Sequence, residues 1–414
     1  MNPLHRYIAQ ALPDPVARLV FLGLVFWLLP VTGAGSADLQ WSGSFKSLNI
    51  YSKEAPADLL PATRVSSNRA RLDVAWQADP VWQVEAALDY RYLWNDPPTA
   101  LFRPTTDFNR RLDLEKDWQH SGHATGRLQF DRLNLQVRTG PVDMKVGRQA
   151  IGFGRIVVFS PLDVIAPFPP DAIDTDVRSG VDALQVVYNY GLDGRLGALA
   201  VWGEDSSYDS YLGTWTDNSN GLDLLLIGGQ LRGRNMVGAG LAGSLGTLGL
   251  KAEVSLHDGR DTGRIGGDLY DSYALAAVEG WYRFDNGLSL ITQYLYNGPG
   301  SKNPERYPAV LESAPLQEGL TALLGRNYLF VVPAYDIHPL ATLQGLLIYN
   351  LDDQSALLRP TLELSLADNI SLDLFWSWCT GERPRSLSPF LPVVPSSEFG
   401  LRGDSGGLFL KWYF

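Results

Sequence analysis

What most constrains this chain is a strict two-residue alternation of apolar and polar side chains, repeated in segment after segment. In "ARLDVAW", Ala70, Leu72, Val74 and Trp76 fall on one face, and Arg71, Asp73 and Ala75 on the other. "WQVEAALDYRY" separates Trp82, Val84, Ala86, Leu88, Tyr90 and Tyr92 from Gln83, Glu85, Ala87, Asp89 and Arg91. "ISLDLFWSW" sets Ile370, Leu372, Leu374, Trp376 and Trp378 opposite Ser371, Asp373 and Ser377. Successive side chains of a strand point to opposite faces, so these segments read as β-strands. Beyond the amino-terminal segment, no run reaches the roughly 18 apolar residues of a membrane-spanning helix. The chain is therefore all-β. A soluble sandwich turns the apolar face inward, whereas a membrane barrel turns it outward and lines its lumen with the polar face.

The chain ends discriminate between these two. Residues 19–31, "LVFLGLVFWLLPV", follow Arg6 and Arg18 and precede "GAGSA", with small residues at Gly35 and Ala37. This is the pattern of a secretory signal peptide over residues 1–37, cleaved after Ala37, the alternative being an uncleaved amino-terminal anchor. Removing it changes the formal charge from −11 to about −12 by the same counting. An acidic balance without basic clusters argues against a nucleic-acid partner. Cys379 is the single cysteine, so no intrachain disulfide and no CxxCH haem attachment exists, and no cofactor is expected. At the other end "GGLFLKWYF" alternates Leu408, Leu410, Trp412 and Phe414 against Phe409, Lys411 and Tyr413. It resembles the terminal signal by which the barrel-assembly machinery recognises outer-membrane barrels of Gram-negative bacteria, carried here by Leu410, Trp412 and Phe414. That resemblance implies an outer-membrane, lipid-embedded, antiparallel up-and-down β-barrel over residues 38–414.

Connection lengths support a barrel, whose short periplasmic turns alternate with longer external loops. Short turns rich in Gly, Pro, Asn and Asp read at residues 78–80, 139–141, 191–194, 245–247, 285–287, 336–339 and 367–369. Longer connections read at 51–67, 95–125, 150–180, 204–234, 258–272, 298–326 and 380–401, with one short external connection at 352–355. Counting strands around these joints gives sixteen, with both mature ends on the periplasmic side. The segment "LDLLLIGGQL", 222–231, is assigned to a structured external loop; as a membrane strand it would move the count toward eighteen. Aromatics near strand ends, Trp41, Trp94, Tyr188, Tyr190, Trp202 and Trp281, fit interfacial girdles, the alternative being sugar-stacking platforms of a carbohydrate channel.

The glycines of "VGRQAIGFGR", 146–155, sit among arginines, as in a phosphate-binding loop. No helix and no Gly-Lys-Ser/Thr follows, so they read instead as a bend or bulge where the fifth strand reaches the outer rim. The loop after it, 150–180, is apolar first and acidic later, stiffened by prolines 161, 167, 169 and 170. Its position resembles that of the inward-folded third loop of the general porins. Ile165, Phe168 and Ile173 favour such insertion over exposure to water, the alternative being packing over the rim or against a partner. Folded inward, Asp163, Asp171, Asp174 and Asp176 would face Arg69, Arg71, Arg91, Arg127, Arg132, Lys145 and Arg148 on neighbouring strands. Opposed charges across a narrow aperture set up a transverse field; the alternative is simple pairing or hydration in the lumen. Lys251 with Glu253, Glu279 with Arg283, and Arg359 with Glu363 read as solvated lumen pairs.

Two further motifs are thin. His120 and His123 lack a companion ligand, so no metal is expected. His257 beside Ser255 hints at an outer-membrane hydrolase without a visible acid. "FSPLDVIAPF", "GVDAL", "IYNLDD" and "LRPTLELSLADN" resemble porin-like outer-membrane proteins. The resemblance implies a non-enzymatic porin, a water-filled channel for passive diffusion of small hydrophilic solutes or ions, and the general-porin likeness alone suggests a homotrimer, a monomer being equally compatible with the alternation. Some proteins of this kind sheathe a periplasmic multihaem cytochrome in electron conduits, which leaves a lumen-filling redox partner as the second reading.

Overall fold

The protein is described by a computed structural model covering residues 38–77, 79–98, 108–385 and 393–414. Its strands are β1 (Asp38–Ser52), β2 (Thr63–Gln77), β3 (Trp82–Asp96), β4 (Glu115–Ser121), β5 (Ala124–Thr139), β6 (Val142–Gln149), β7 (Val181–Tyr190), β8 (Gly194–Val201), β9 (Ser210–Ser219) and β10 (Leu222–Leu231). They continue as β11 (Arg234–Leu245), β12 (Leu248–Asp258), β13 (Ser272–Arg283), β14 (Ser289–Asn297), β15 (Asn327–His338), β16 (Ala341–Asn350), β17 (Ser355–Ala367), β18 (Ile370–Thr380) and β19 (Ser405–Tyr413). Apart from β4, each strand pairs antiparallel with the next in sequence, and β19 closes the circuit on β1 with Lys46 opposite Lys411. The short β4 is an addition: β3 pairs directly with β5, and β4 takes the edge of β5 that β6 leaves beyond Arg148. Closure removes the open edges of the main circuit, while β4 keeps one edge unpaired among the described residues.

The circuit thus has eighteen strands rather than sixteen. The two additional strands are β9 and β10, inside the stretch read as one external loop, 204–234. Asn220 and Gly221 both take positive φ, 53° and 80°, and make a two-residue hairpin. The physical reason for the misreading lies on β10. Leu222 and Leu226 face outward and stay exposed, while Leu225, Ile227 and Leu231 face inward and are buried. With both faces apolar, the polar–apolar alternation that marks the other strands is lost. No helix among the described residues is long and apolar enough to cross a membrane, which says nothing of strands.

Elsewhere the alternation is kept. Trp76, Trp82, Leu133, Met144, Leu358, Leu374, Trp378, Leu408 and Trp412 form an exposed apolar outer surface. Trp41 and Tyr188 are exposed on it as well, but Trp281 shares its face with Glu279 and points to the interior side. The loops 150–180 and 298–326 have the boundaries expected, since β6 ends at Gln149, β7 begins at Val181, and β14 and β15 end and begin at Asn297 and Asn327.

In "VGRQAIGFGR", Gly147 takes φ 111° within β6. A Cβ there would collide with the Leu133 carbonyl on β5. The glycine serves backbone geometry, as its rim position suggested. Gly147→Ala is expected to lower unfolding stability by about 1–3 kcal/mol, the cost of forcing a side chain into sparsely allowed backbone. Urea titration of barrel refolding in lipid vesicles reads it, and an unchanged midpoint would reject the assignment.

Candidate functional site

The barrel interior is dominated by the loop 150–180, which runs along the inner wall. Its apolar half finds an apolar lining. Ile151, Leu162, Val164, Ile165 and Ala166 are buried against Ala183, Leu199, Val201, Leu212, Leu225, Ile227 and Met236 of β7 to β11. Ile156 and Phe159 pack among Leu275, Leu295, Phe330, Ile348 and Leu357 of β13 to β17. Burying such side chains is worth about 1.5–3 kcal/mol each, so the loop is held by its own hydrophobic surface.

Polar groups of the wall then fix its backbone. Glu253 on β12 accepts from the amides of Arg155 (2.6 Å) and Ile156 (3.1 Å) and from the Ser160 hydroxyl. Glu279 on β13 accepts from the Val157 amide at 2.7 Å. Gln293 on β14 accepts from the Phe159 amide and donates to the Phe159 carbonyl at 2.7 Å. Arg232, at the tip of the β10–β11 hairpin, donates to the carbonyls of Val164 (3.1 Å) and Ile165 (3.0 Å). Arg359 on β17 donates to the Asp171 carbonyl at 2.7 Å. A buried backbone donor or acceptor must find a partner, and here the strands supply it.

The acidic half meets cations. Asp174 and Asp176 both bind Lys46 of β1, at 2.8 and 2.7 Å, and Tyr413 donates to Asp176 at 2.6 Å. Asp174 also lies 3.7 Å from Arg69. Asp171 pairs with Arg402 at 2.8 Å. Burial works against its charged form, yet Arg402 and Arg359 hold its carboxyl below the usual carboxylate range. Asp163 pairs within the loop with Arg178 at 2.5 Å. There burial wins and pushes the carboxyl up to about 6.

Of the arginines expected opposite these acids, only Arg69 meets one of them. Arg71 and Arg132 converge instead on Asp131 of β5, at 2.5 and 2.6 Å, joined by Arg110 at 3.4 Å. Lys145 pairs with Glu85 at 2.8 Å, and Arg127 with Asp117 at 2.6 Å. Arg148 does not line the interior. It shares the outward face of β6 with Met144, pairs with Asp182 at 2.8 Å and is sealed by a contact to the Leu112 carbonyl at 2.6 Å. One residue of slip in parity puts a side chain on the opposite face, and Lys145 and Arg148 differ by an odd number.

Arg69, Arg91 and Arg127 stand directly opposite one another across β2, β3 and β5. Arg69 is satisfied by Asp89 and Arg127 by Asp117. Arg91 between them has no ion-pair or hydrogen-bond partner among the described residues. Sequence reading missed Lys46, Glu253, Glu279, Gln293, Arg232 and Arg359 as loop anchors. Alternation places the strand residues inside, but no local signal says which distant segment they hold. The Ser255–His257 contact exists at 2.9 Å, yet the other ring nitrogen of His257 has no partner and the ring stacks on Tyr273 at 5.1 Å. No acid among the described residues hydrogen-bonds that nitrogen. His123 contacts the Asn95 carbonyl, and no metal-ligand cluster occurs among the described residues.

No protein-family model and no curated protein sequence matches the chain. Solved structures do. OccAB4 of Acinetobacter baumannii superposes with a TM-score of 0.57 at 10% identity, over 91% of this chain and 98% of that one. OccAB1 of the same organism gives 0.58 at 11% identity, over 92% of this chain and 98% of its own. The chain folds as a porin-like β-barrel. A triple mutant of Rhodopseudomonas blastica porin aligns over 91% of this chain and 100% of its own, at 10% identity and a TM-score of 0.45. In the porin-like barrel, then, the interior loop, its wall anchors and the arginine row are the features on which function must rest.

Proposed function

We propose that the protein is an outer-membrane porin that lets small hydrophilic solutes diffuse passively, with a preference for anions. The observation that carries the preference is the row Arg69, Arg91, Arg127. Like charges directly opposite across strands are destabilising, so a row of three whose centre, Arg91, makes no direct ion pair among the described residues and feels Asp89 and Asp131 only at a distance favours an anion passing there. A fixed cation in a narrow aqueous passage raises the local concentration of mobile anions. In this reading the loop 150–180 is the constriction, and Leu410, Trp412 and Phe414, at the end of β19, form the assembly signal. The ends lie in the periplasm and the long connections outside. The export signal falls on residues 1–37, outside the described residues. An interior already occupied by a loop of its own chain speaks against a sheath for a cytochrome.

The test is single-channel recording in a planar bilayer with a potassium chloride gradient. The expected result is stable open steps with a reversal potential of the sign for chloride preference, and Arg91→Glu moves it toward potassium without closing the channel. A silent barrel would reject the channel, and a cation-preferring wild type would reject the role of the arginine row.

The homotrimer reading also has a candidate surface. Ser47, Asn49, Ser66 and Asn68 form a hydrogen-bonded polar row on β1 and β2, with Ser47 donating to Asn68 at 2.9 Å. Ser47 and Asn49 lie opposite Leu410 and Leu408, which places them on the outward face. Polar side chains there favour a protein neighbour over lipid. Asn68→Cys is expected to cross-link between copies in native membranes; only monomer after oxidation would remove that surface.

A further inference from the structure

Away from the arginine row, four outer connections converge on a second feature. Leu59 and Leu60 from 53–62, Phe168 from 150–180, Leu311 and Ala322 from 298–326, and Leu401 from 381–404 line a cavity of about 560 Å³. The volume lies within the range of small-molecule sites, about 300–1,000 Å³. Its described lining is mostly apolar, and Leu59, Leu60 and Leu311 remain exposed there, whereas most of the apolar half of the inner loop is buried.

Among the described residues, the ionisable groups of the lining, Glu398 and Arg402, both have partners in the protein. Arg402 pairs with Asp171. Glu398 accepts from Asn350 at 3.0 Å and from Tyr328 at 2.5 Å, and from the Leu324 amide at 3.2 Å. None of the buried polar atoms left without a partner among the described residues belongs to this cavity. A charged ligand would have to compete with the existing Arg402–Asp171 pair, and one rich in hydroxyls would lose water with little replacement. An apolar ring would cover the exposed leucines at no polar cost.

From this geometry we infer that the mouth of the barrel carries a binding site for a compact, uncharged, apolar or aromatic solute, seated between Leu60, Phe168, Leu311 and Ala322. The site shares the loop 150–180 and Arg402 with the proposed constriction, but ligand binding there does not depend on conduction.

The test uses the full-length protein in detergent and fluorine NMR of 4-fluorobenzyl alcohol, with 3-deoxy-3-fluoroglucose as a polar probe of similar size. Ala322→Trp fills the cavity without removing any wall group, and Leu60→Asp makes its rim polar. The wild type is expected to broaden and shift the aromatic probe's signal. Both variants should weaken its binding at least tenfold, and the sugar should be unaffected throughout. Comparison with the variants in the same detergent cancels partition into micelles. Equal broadening by wild type and Ala322→Trp, or equal binding of the sugar, would overturn the inference. Conductance of the same preparations is read separately: a silent barrel that still binds the aromatic probe would sink the channel and leave the site standing.

Discussion

Glu253→Ala is expected to free the inner loop from the wall, raising single-channel conductance severalfold and lowering the barrel's resistance to heat. One carboxylate holds the turn of the loop: its two oxygens accept from the amides of Arg155 and Ile156, from the Ser160 hydroxyl, and at 3.4 Å from the Leu162 amide. Alanine would strand these donors among Ile156, Leu162 and the apolar wall. Leaving one buried group unsatisfied costs about 1–3 kcal/mol, so the sum is on the order of 3 kcal/mol or more even after some donors find water. The strands would stay closed, because their ladders do not depend on Glu253 beyond its own backbone. Glu253→Gln retains the shape but points an amide NH₂ at donors, and should fall between. Bilayer recording and the temperature at which the folded form loses its fast electrophoretic mobility give the two readouts. Unaltered conductance in the alanine variant would mean that the loop's apolar packing alone keeps it in place.

Arg234→Ala is expected to have the largest effect on stability, about 3–5 kcal/mol, the usual cost of removing one partner from a buried charge cluster. Arg234 binds Asp268 through two nitrogens, at 2.7 and 2.9 Å, and Glu318 at 2.6 Å, with all three side chains buried. Arg260 reaches the same Glu318 at 2.5 Å. Glu318 would keep Arg260 and, at 3.6 Å, Arg232, while Asp268 would lose both of its guanidinium contacts. The cluster ties the β10–β11 hairpin to the connections 259–271 and 298–326, so the loss should appear as protease sensitivity of those connections before strand unfolding. Adding Asp268→Asn to Arg234→Ala should recover part of the loss. Urea midpoints in vesicles and limited proteolysis measure both. A shift below about 1 kcal/mol, the range of exposed pairs, would show that water reaches the cluster.

Much of this architecture was legible because period two survives wherever one face meets polar interior and the other an apolar exterior. The segments around Leu72, Leu88 and Leu374 declared their faces without help. The same rule failed at Leu222–Leu231, where the loop 150–180 makes the interior itself apolar. Asn220–Gly221, among the strongest short hairpin signals, was present but lay inside an assumed loop. Parity alone also separates Arg148 from Lys145. The partners of Glu253 and Arg359 were not legible, because the ligands of a wall carboxylate are chosen by a segment about a hundred or more residues away in sequence.

The distribution of the inner loop's anchors bears on how the molecule comes together. Lys46 precedes the loop in the chain, whereas Glu253, Glu279, Gln293, Arg359 and Arg402 all follow it. The anchors on β1 and those near β17 to β19 become neighbours only when the last strand has found the first. An incomplete or misregistered sheet would offer the loop one bank and not the other. Full seating of the loop therefore requires the closed circuit, since Lys46 on β1 and Arg402 before β19 hold its acidic half.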